Sequence, residues 1–314
     1  MKKFLIKCLI FILIVYAVDL VLYFILPGII SATLYDDRLE KVVDGKMDAD
    51  IVILGSSRAA RDIIACDFQK EIDRNAFNLG FPGSNVDFHE TVMRIYLERN
   101  KTPKIVIIVL DQSEIIDNPS INFRLDKLYP LAGDKEIDRI LEYRENDPVS
   151  YTDLFFSSKY KKNFPKSFYS WLYIPKTDTL TECGSMPLSF KSITYEGLTY
   201  EDSTLYDPGA ESPYLTQRFQ SLLDMCKKNG VKVLLVAPPS FYRPSPGFYS
   251  RMMQFTEYEH VIFFAADEEK YTDKKLFYDK SHLDKEGAEM FTGDVIYFIK
   301  KDSTLSKALN LNKQ

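Results

Sequence analysis

The sequence predicts an α/β protein with a doubly wound, mostly parallel five-stranded sheet, a flavodoxin-like three-layer sandwich, preceded by a transmembrane helix. Three observations predict it. Short apolar runs such as Ile51–Leu54 and Lys104–Leu110 have the length and β-branched content of strands buried on both faces. Stretches with helical spacing alternate with these runs, which is the pattern of βα units. The first 30 residues hold an apolar run long enough to cross a bilayer.

The elements follow in order. Met1-Lys2-Lys3 leads into Phe4–Leu26, almost wholly apolar; Cys8 to Leu26 would rise about 28 Å as a helix, close to the ~30 Å hydrocarbon core. Lys2, Lys3 and Lys7 precede this run, while Asp36, Asp37 and Glu40 follow it, so the basic side is expected in the cytoplasm and the body outside. The run exceeds the 7–15 residues of a signal-peptide core, and Ile30-Ser31-Ala32 is a poor cleavage site, which favours a retained anchor over a cleaved signal peptide. Asp19 within the run reads either as a contact to a partner membrane protein or as a carboxylate hydrated near the outer half of the helix.

Residues 31–48 read as a polar stalk, and 49–300 as the α/β domain. Its expected strands are Ile51–Leu54, Ala76–Leu79, Lys104–Leu110, Val231–Ala237 and Val261–Ala265. Its expected helices are Arg58–Ile72, Asn85–Arg99, Pro213–Lys228 and Lys285–Lys300, with Ser84 or Asn85 as a cap and Asn229-Gly230 as a stop. Between about 112 and 210 the βα rhythm is lost in favour of Tyr, Phe, Ser, Asp and Pro, which is too long for an ordinary loop and reads as an insertion over one end of the sheet. Residues 301–314 form a polar tail. The net charge of −5 and the lack of a basic stripe argue against a nucleic-acid partner. Cys8, Cys66, Cys183 and Cys226 show no metal-ligand spacing; Cys66 and Cys226 fall in helical patterns and read as buried free thiols, while a disulfide is permitted outside the cell but not implied by the spacing.

Candidate chemistry sits at the two ends of the domain. Gly55-Ser56-Ser57-Arg58 follows the first strand, and Asp279-Lys280-Ser281-His282 precedes the last helix. A serine, a histidine and an aspartate brought together make an activated nucleophile whatever their order in the chain. Taken alone, Gly-Ser-Ser is a common tight turn and Asp-x-x-His a common chance spacing. His89 and His260 read as packing or surface histidines.

With Gly55-Ser56-Ser57, Asn78-Leu79-Gly80 and Asp279-x-x-His282 in these positions, the chain resembles the SGNH (GDSL-like) hydrolases, over roughly residues 49–300 apart from the insertion. Among them it looks most like membrane-anchored envelope proteins of D-alanyl transfer and exopolysaccharide acetylation. The resemblance implies Ser57 as nucleophile, His282 as general base and Asp279 as its orienter. It implies an oxyanion hole from the N–H groups of Ser57 and Gly80; as residues alone, Gly80 and Gly83 read equally as turn glycines. The family's third donor, an asparagine after the third strand, is missing from Leu110-Asp111-Gln112-Ser113-Glu114, which leaves Gln112, Ser113 or no side chain at all in its place. Arg58 reads either as a substrate contact or as a solvated residue of the first helical turn. The reaction implied is acyl transfer at an O-ester of an envelope glycan or glycolipid, beside a membrane-bound O-acyltransferase. No metal or organic cofactor is expected for it. Two other readings stay open: a scaffold or binding protein with little turnover, and a lipid esterase.

Overall fold

The computed structural model describes residues 2–34, 37–111, 114–145, 155, 157, 180–189, 195–201, 206–242, 245–256, 261–264 and 266–311. The chain groups into two compact units: residues 1–40 with 124–175, and residues 41–123 with 176–314. Residues 176–210, read from sequence as part of the insertion, thus group with the α/β unit.

In the first unit, α1 (Lys2–Leu34) is one continuous helix. Its stretch Lys2–Ile25 has a mean hydropathy of 2.8 and exposes its large side chains, so it is long and apolar enough to cross a membrane, a test that signal sequences also pass. Asp19 is the exception on this helix: it is buried, and its carboxylate accepts hydrogen bonds from the Ser157 N–H (3.0 Å) and hydroxyl (2.5 Å). One turn away, Tyr16 stacks on Phe155. Ser157 of the same chain is thus one partner of this carboxylate, a contact neither sequence reading of Asp19 contained. A buried carboxylate in an apolar helix is tolerated only when such donors satisfy it.

Helix α2 (Asp37–Val43) spans the division at residue 40, and the second unit continues with β1 (Ile51–Gly55), α3 (Ser57–Asp62), α4 (Ala65–Ile72), β2 (Ala76–Gly80), α5 (Val86–Arg99) and β3 (Ile105–Val109). After α6 (Leu125–Leu128) and α7 (Lys135–Glu145) of the first unit come α8 (Pro213–Lys228), β4 (Lys232–Ala237), α9 (Pro246–Phe255), β5 (Val261–Phe263), α10 (Lys285–Lys301) and α11 (Ser303–Ala308). The five strands are all parallel, in the order β2-β1-β3-β4-β5. That is the doubly wound arrangement read from the sequence. Ile51, Ile53, Ile105, Ile107 and Val236 pack on Phe68, Phe291, Val295 and Ile299 from α4 and α10. Helices α5 and α8 pack against each other and carry their own buried apolar residues. The strand order reverses at β1, and its C-terminal end is where ligands bind in open sheets of this kind.

The single helix expected over Arg58–Ile72 is two. Ile63 and Ile64 adopt extended backbone between α3 and α4. The break is held by side chains: the Thr292 hydroxyl accepts from the Ile64 N–H at 2.9 Å, the Ser185 hydroxyl accepts from the Ala65 N–H at 2.9 Å, and Asn78 donates to the Ile63 carbonyl at 3.0 Å. Buried backbone groups that leave a helix need such replacements. Cys66, expected as a free thiol, is joined to Cys183 in a disulfide, while Cys226 is a buried free thiol.

Candidate active site

Ser57 opens α3 directly after β1. The backbone can turn that sharply because Gly55 sits at φ +142°, where a Cβ would lie 2.8 Å from both Ala59 and the Val109 carbonyl. Ser56 is buried, whereas Ser57 is half-buried. The Ser57 hydroxyl lies 2.8 Å from His282 Nε2, and His282 Nδ1 lies 3.0 Å from each oxygen of Asp279. Residues 225 apart in the chain thus form one continuous hydrogen-bonded row.

A tight loop presents the histidine and the aspartate together. Its neck is the antiparallel bridge between Phe277 and Leu283. Asp279 Oδ1 also accepts the N–H groups of Ser281 (2.7 Å) and His282 (2.9 Å). Burial pushes the Asp279 carboxyl up, but the His282 ring and these N–H groups outweigh it and hold the carboxyl below the usual carboxylate range. An ionised Asp279 keeps its proton-bearing partner at Nδ1 and leaves Nε2 facing the serine.

The Arg58 side chain is largely buried. Its guanidinium turns inward, donating to the Leu110 carbonyl at 3.5 Å and to the Pro238 carbonyl, with Nε 3.8 Å from Asp62. It ties α3 to the ends of β3 and β4, so it is not the solvated residue of a first helical turn. Asp62, four residues on, is fully buried and accepts the Leu283 N–H at 3.0 Å, so it holds the loop that carries His282. Burial raises its carboxyl to about 6, against the pull of His282 and Arg58. Sequence reasoning missed Asp62, although its i,i+4 spacing from Arg58 was a visible signal.

Gly80 needs correction as an oxyanion donor. Its N–H is spent on Asn78 Oδ1 at 2.8 Å, and its Cα packs so closely on α3 that a Cβ would lie 2.5 Å from the Ala60 nitrogen. Asn78 is itself buried and donates to the Ala59 carbonyl at 2.7 Å, so Asn78 and Gly80 clamp β2 to α3. The next glycine is different. Phe81-Pro82-Gly83-Ser84 forms a turn closed by the Ser84 N–H on the Phe81 carbonyl (3.0 Å), with Gly83 at φ +75°. Proline then glycine in the middle of such a turn is the type II signature. The turn rests on the end of β1, since the Phe81 N–H (3.0 Å) and the Ser84 hydroxyl (3.3 Å) both reach the Gly55 carbonyl. Among the described residues the Gly83 N–H donates no hydrogen bond. Gln112, Ser113 and His260 lie outside the described residues.

No family model matches the chain. No curated protein matches it. Eight chains of solved structures are similar. One, from Streptococcus pneumonia and provisionally described as a platelet activating factor, has 9% identity and a TM-score of 0.39, covering 91% of each chain. A likeness of that size carries no argument about function.

Proposed function

We propose that this chain is a membrane-anchored, extracytoplasmic esterase or O-acyltransferase of the SGNH type, acting on O-acyl groups of envelope glycans. The row Ser57–His282–Asp279 carries the reading. His282 Nε2 takes the hydroxyl proton as Ser57 Oγ attacks the ester carbonyl. Asp279 stabilises the imidazolium that forms. The negative charge on the former carbonyl oxygen falls to the N–H groups of Ser57 and Gly83. The C–O bond then breaks, His282 returns its proton to the departing alcohol, and the acyl group stays on Ser57. Water or a sugar hydroxyl, deprotonated by His282, attacks this acyl-enzyme; the acyl–Oγ bond breaks and His282 returns that proton to Ser57 Oγ.

The address has two supports. The apolar helix α1 fits an anchor with its basic end in the cytoplasm. The Cys66–Cys183 disulfide fits an oxidising compartment. A membrane-bound O-acyltransferase as acyl supplier belongs to the same proposal.

The test is labelling with a serine-directed fluorophosphonate, with the modified residue located by peptide mass. Ser57 is expected to carry the label and to lose it in His282→Ala. An unlabelled but folded protein would replace this reading with that of a scaffold. Release of acyl groups from an acylated glycan, with and without an acceptor glycan, then separates hydrolysis from transfer.

A further inference from the structure

A second serine, histidine and carboxylate meet inside the α/β unit. The Ser84 hydroxyl lies 2.7 Å from His89 Nε2, and His89 Nδ1 lies 3.7 Å from Glu114 Oε2. All three side chains are buried: Ser84 is 0% exposed, His89 1% and Glu114 3%. No substrate reaches them, so the row is not a second nucleophile.

Its protons can be placed. Ser84 Oγ has one proton and three neighbours: the Phe81 carbonyl at 2.6 Å, the Gly55 carbonyl at 3.3 Å and His89 Nε2. Carbonyls only accept, so the serine proton goes to one of them, and the shorter contact is Phe81. His89 Nε2 is therefore the donor to Ser84 and carries a proton. That leaves Nδ1 facing Glu114 Oε2, two buried atoms with no hydrogen-bond partner among the described residues. A buried pair of this kind stays neutral overall by sharing one proton, whichever atom holds it. Burial raises the Glu114 carboxyl and His89 partly offsets this.

The row ends on the turn that carries Gly83. Ser84 closes that turn through both its N–H and its hydroxyl, and the Asn122 backbone holds the other side, bonding Gly83 and Asn85. His89 comes from α5 and Glu114 from the segment after β3, so the row joins the Phe81–Ser84 turn, α5 and that segment.

We infer that Ser84, His89 and Glu114 are positioning residues: the proton held at His89 Nε2 locks the Phe81–Ser84 turn against the end of β1 and so fixes the Gly83 N–H beside the nucleophile turn. This rests on the active-site reading above for its effect on rate, but not for its effect on the turn. Glu114 acts one step back, its carboxyl facing Nδ1 at 3.7 Å on the far side of the ring from Ser84.

The experiment compares wild type with His89→Leu and His89→Gln, since the glutamine Nε2 sits where the histidine Nε2 did and still donates. Two readouts are taken: the rate of Ser57 acylation by p-nitrophenyl acetate, split into kcat and KM, and hydrogen exchange at the Ser84 and Asn85 amides. His89→Leu is expected to lower kcat roughly 10- to 100-fold with KM unchanged, because a displaced donor costs less than the 10²–10³ of a deleted one. It is also expected to lose exchange protection at Ser84 and Asn85, and His89→Gln to recover both. Unchanged protection in a folded His89→Leu overturns the inference, whatever the rate does. Should wild type show no acylation at Ser57, the active-site reading fails, and the exchange data alone decide the positioning role. If His89→Leu does not fold, Ser84→Ala takes its place with the same readouts.

Discussion

Two rows of serine, histidine and carboxylate stand in one unit, and only one of them can be a nucleophile. In Ser57–His282–Asp279 the side chains of His282 and Asp279 are 14% and 29% exposed. The carboxylate sits 3.0 Å from Nδ1 with both oxygens and is stabilised as an anion by backbone donors. In Ser84–His89–Glu114 the serine is fully buried, and its proton is committed to a backbone carbonyl 2.6 Å away. The carboxyl stands 3.7 Å off, with burial working against its charge. The same residue types therefore do different work according to where one proton goes. A histidine that accepts from a serine makes a base, and a histidine that donates to it makes a brace.

The largest effects break or confirm this contrast. Ser57→Ala or His282→Ala is expected to cut acyl-ester turnover by about three orders of magnitude or more, with Tm nearly unchanged, because both side chains are only partly buried. Asp279→Asn keeps more residual rate. Ser84→Ala is expected to cost far less turnover and more stability. Steady-state kinetics beside thermal unfolding read both. A larger loss of rate in Ser84→Ala than in Ser57→Ala would invert the assignment of the two rows.

The next effect is one of stability, confined to the first row. Cys66 and Cys183 are 117 residues apart, and the segment Thr181–Met186 they fasten braces the nucleophile helix. Its Met186 N–H reaches the Ala60 carbonyl at 2.6 Å, and its Ser185 hydroxyl accepts from Ala65. Closing a loop of that length is worth about 4–5 kcal/mol in the chain-entropy account. Cys66→Ser with Cys183→Ser is expected to lower Tm by on the order of 10 °C. It should slow Ser57 acylation while leaving amide protection at Ser84 and Asn85 as in wild type. Loss of that protection would show that the two rows share one cooperative element.

The five parallel strands were readable because parallel strands buried on both faces need unbroken β-branched runs, which Ile51–Leu54 and Lys104–Leu110 display. Ser57, Asp279 and His282 were nameable because each has a local mark, a small residue at a strand end or a short spacing before a helix. The remainder depended on distance in the chain. Nothing near Cys66 announces Cys183. His89 and Glu114 are 25 residues apart and meet only once α5 and the end of β3 are packed. Gly80 and Gly83 look alike in sequence until the hydrogen bonds are seen, although Pro82-Gly83 carried the turn signature. The solvated reading of Arg58 fails because two strand-end carbonyls and a buried aspartate draw in a charge that in a first helical turn usually faces water.

Arg58 sharpens the contrast between contact and support. Arg58→Met is expected to destabilise the fold by about 2–4 kcal/mol, since it strands two strand-end carbonyls and the buried Asp62. KM for p-nitrophenyl acetate should stay at its wild-type value. A raised KM with unchanged Tm would return Arg58 to the substrate side.

The smallest effect concerns Asp62, the buried carboxylate behind the first row, as Glu114 is behind the second. Its carboxyl is raised to about 6 from an ordinary 3.8, chiefly by burial. A raised carboxyl binds its proton more tightly in the folded state than in the unfolded one. Asp62 therefore works against the fold above pH 6, and the penalty is relieved as pH falls from about 6 toward 4. Its full size is on the order of 3 kcal/mol. Asp279, held low, has the opposite sign and loses its contribution as pH falls, so the raw stability curve mixes the two. The difference between wild type and Asp62→Asn isolates Asp62. The asparagine oxygen still accepts the Leu283 N–H, so the loop stays anchored while the charge is gone. Denaturant unfolding at pH 4, 5, 6 and 7 is expected to show the asparagine variant gaining most relative to wild type at pH 7 and least at pH 4. A difference that does not change across this range would mean that Arg58 neutralises Asp62 fully, and that burial costs this carboxylate nothing.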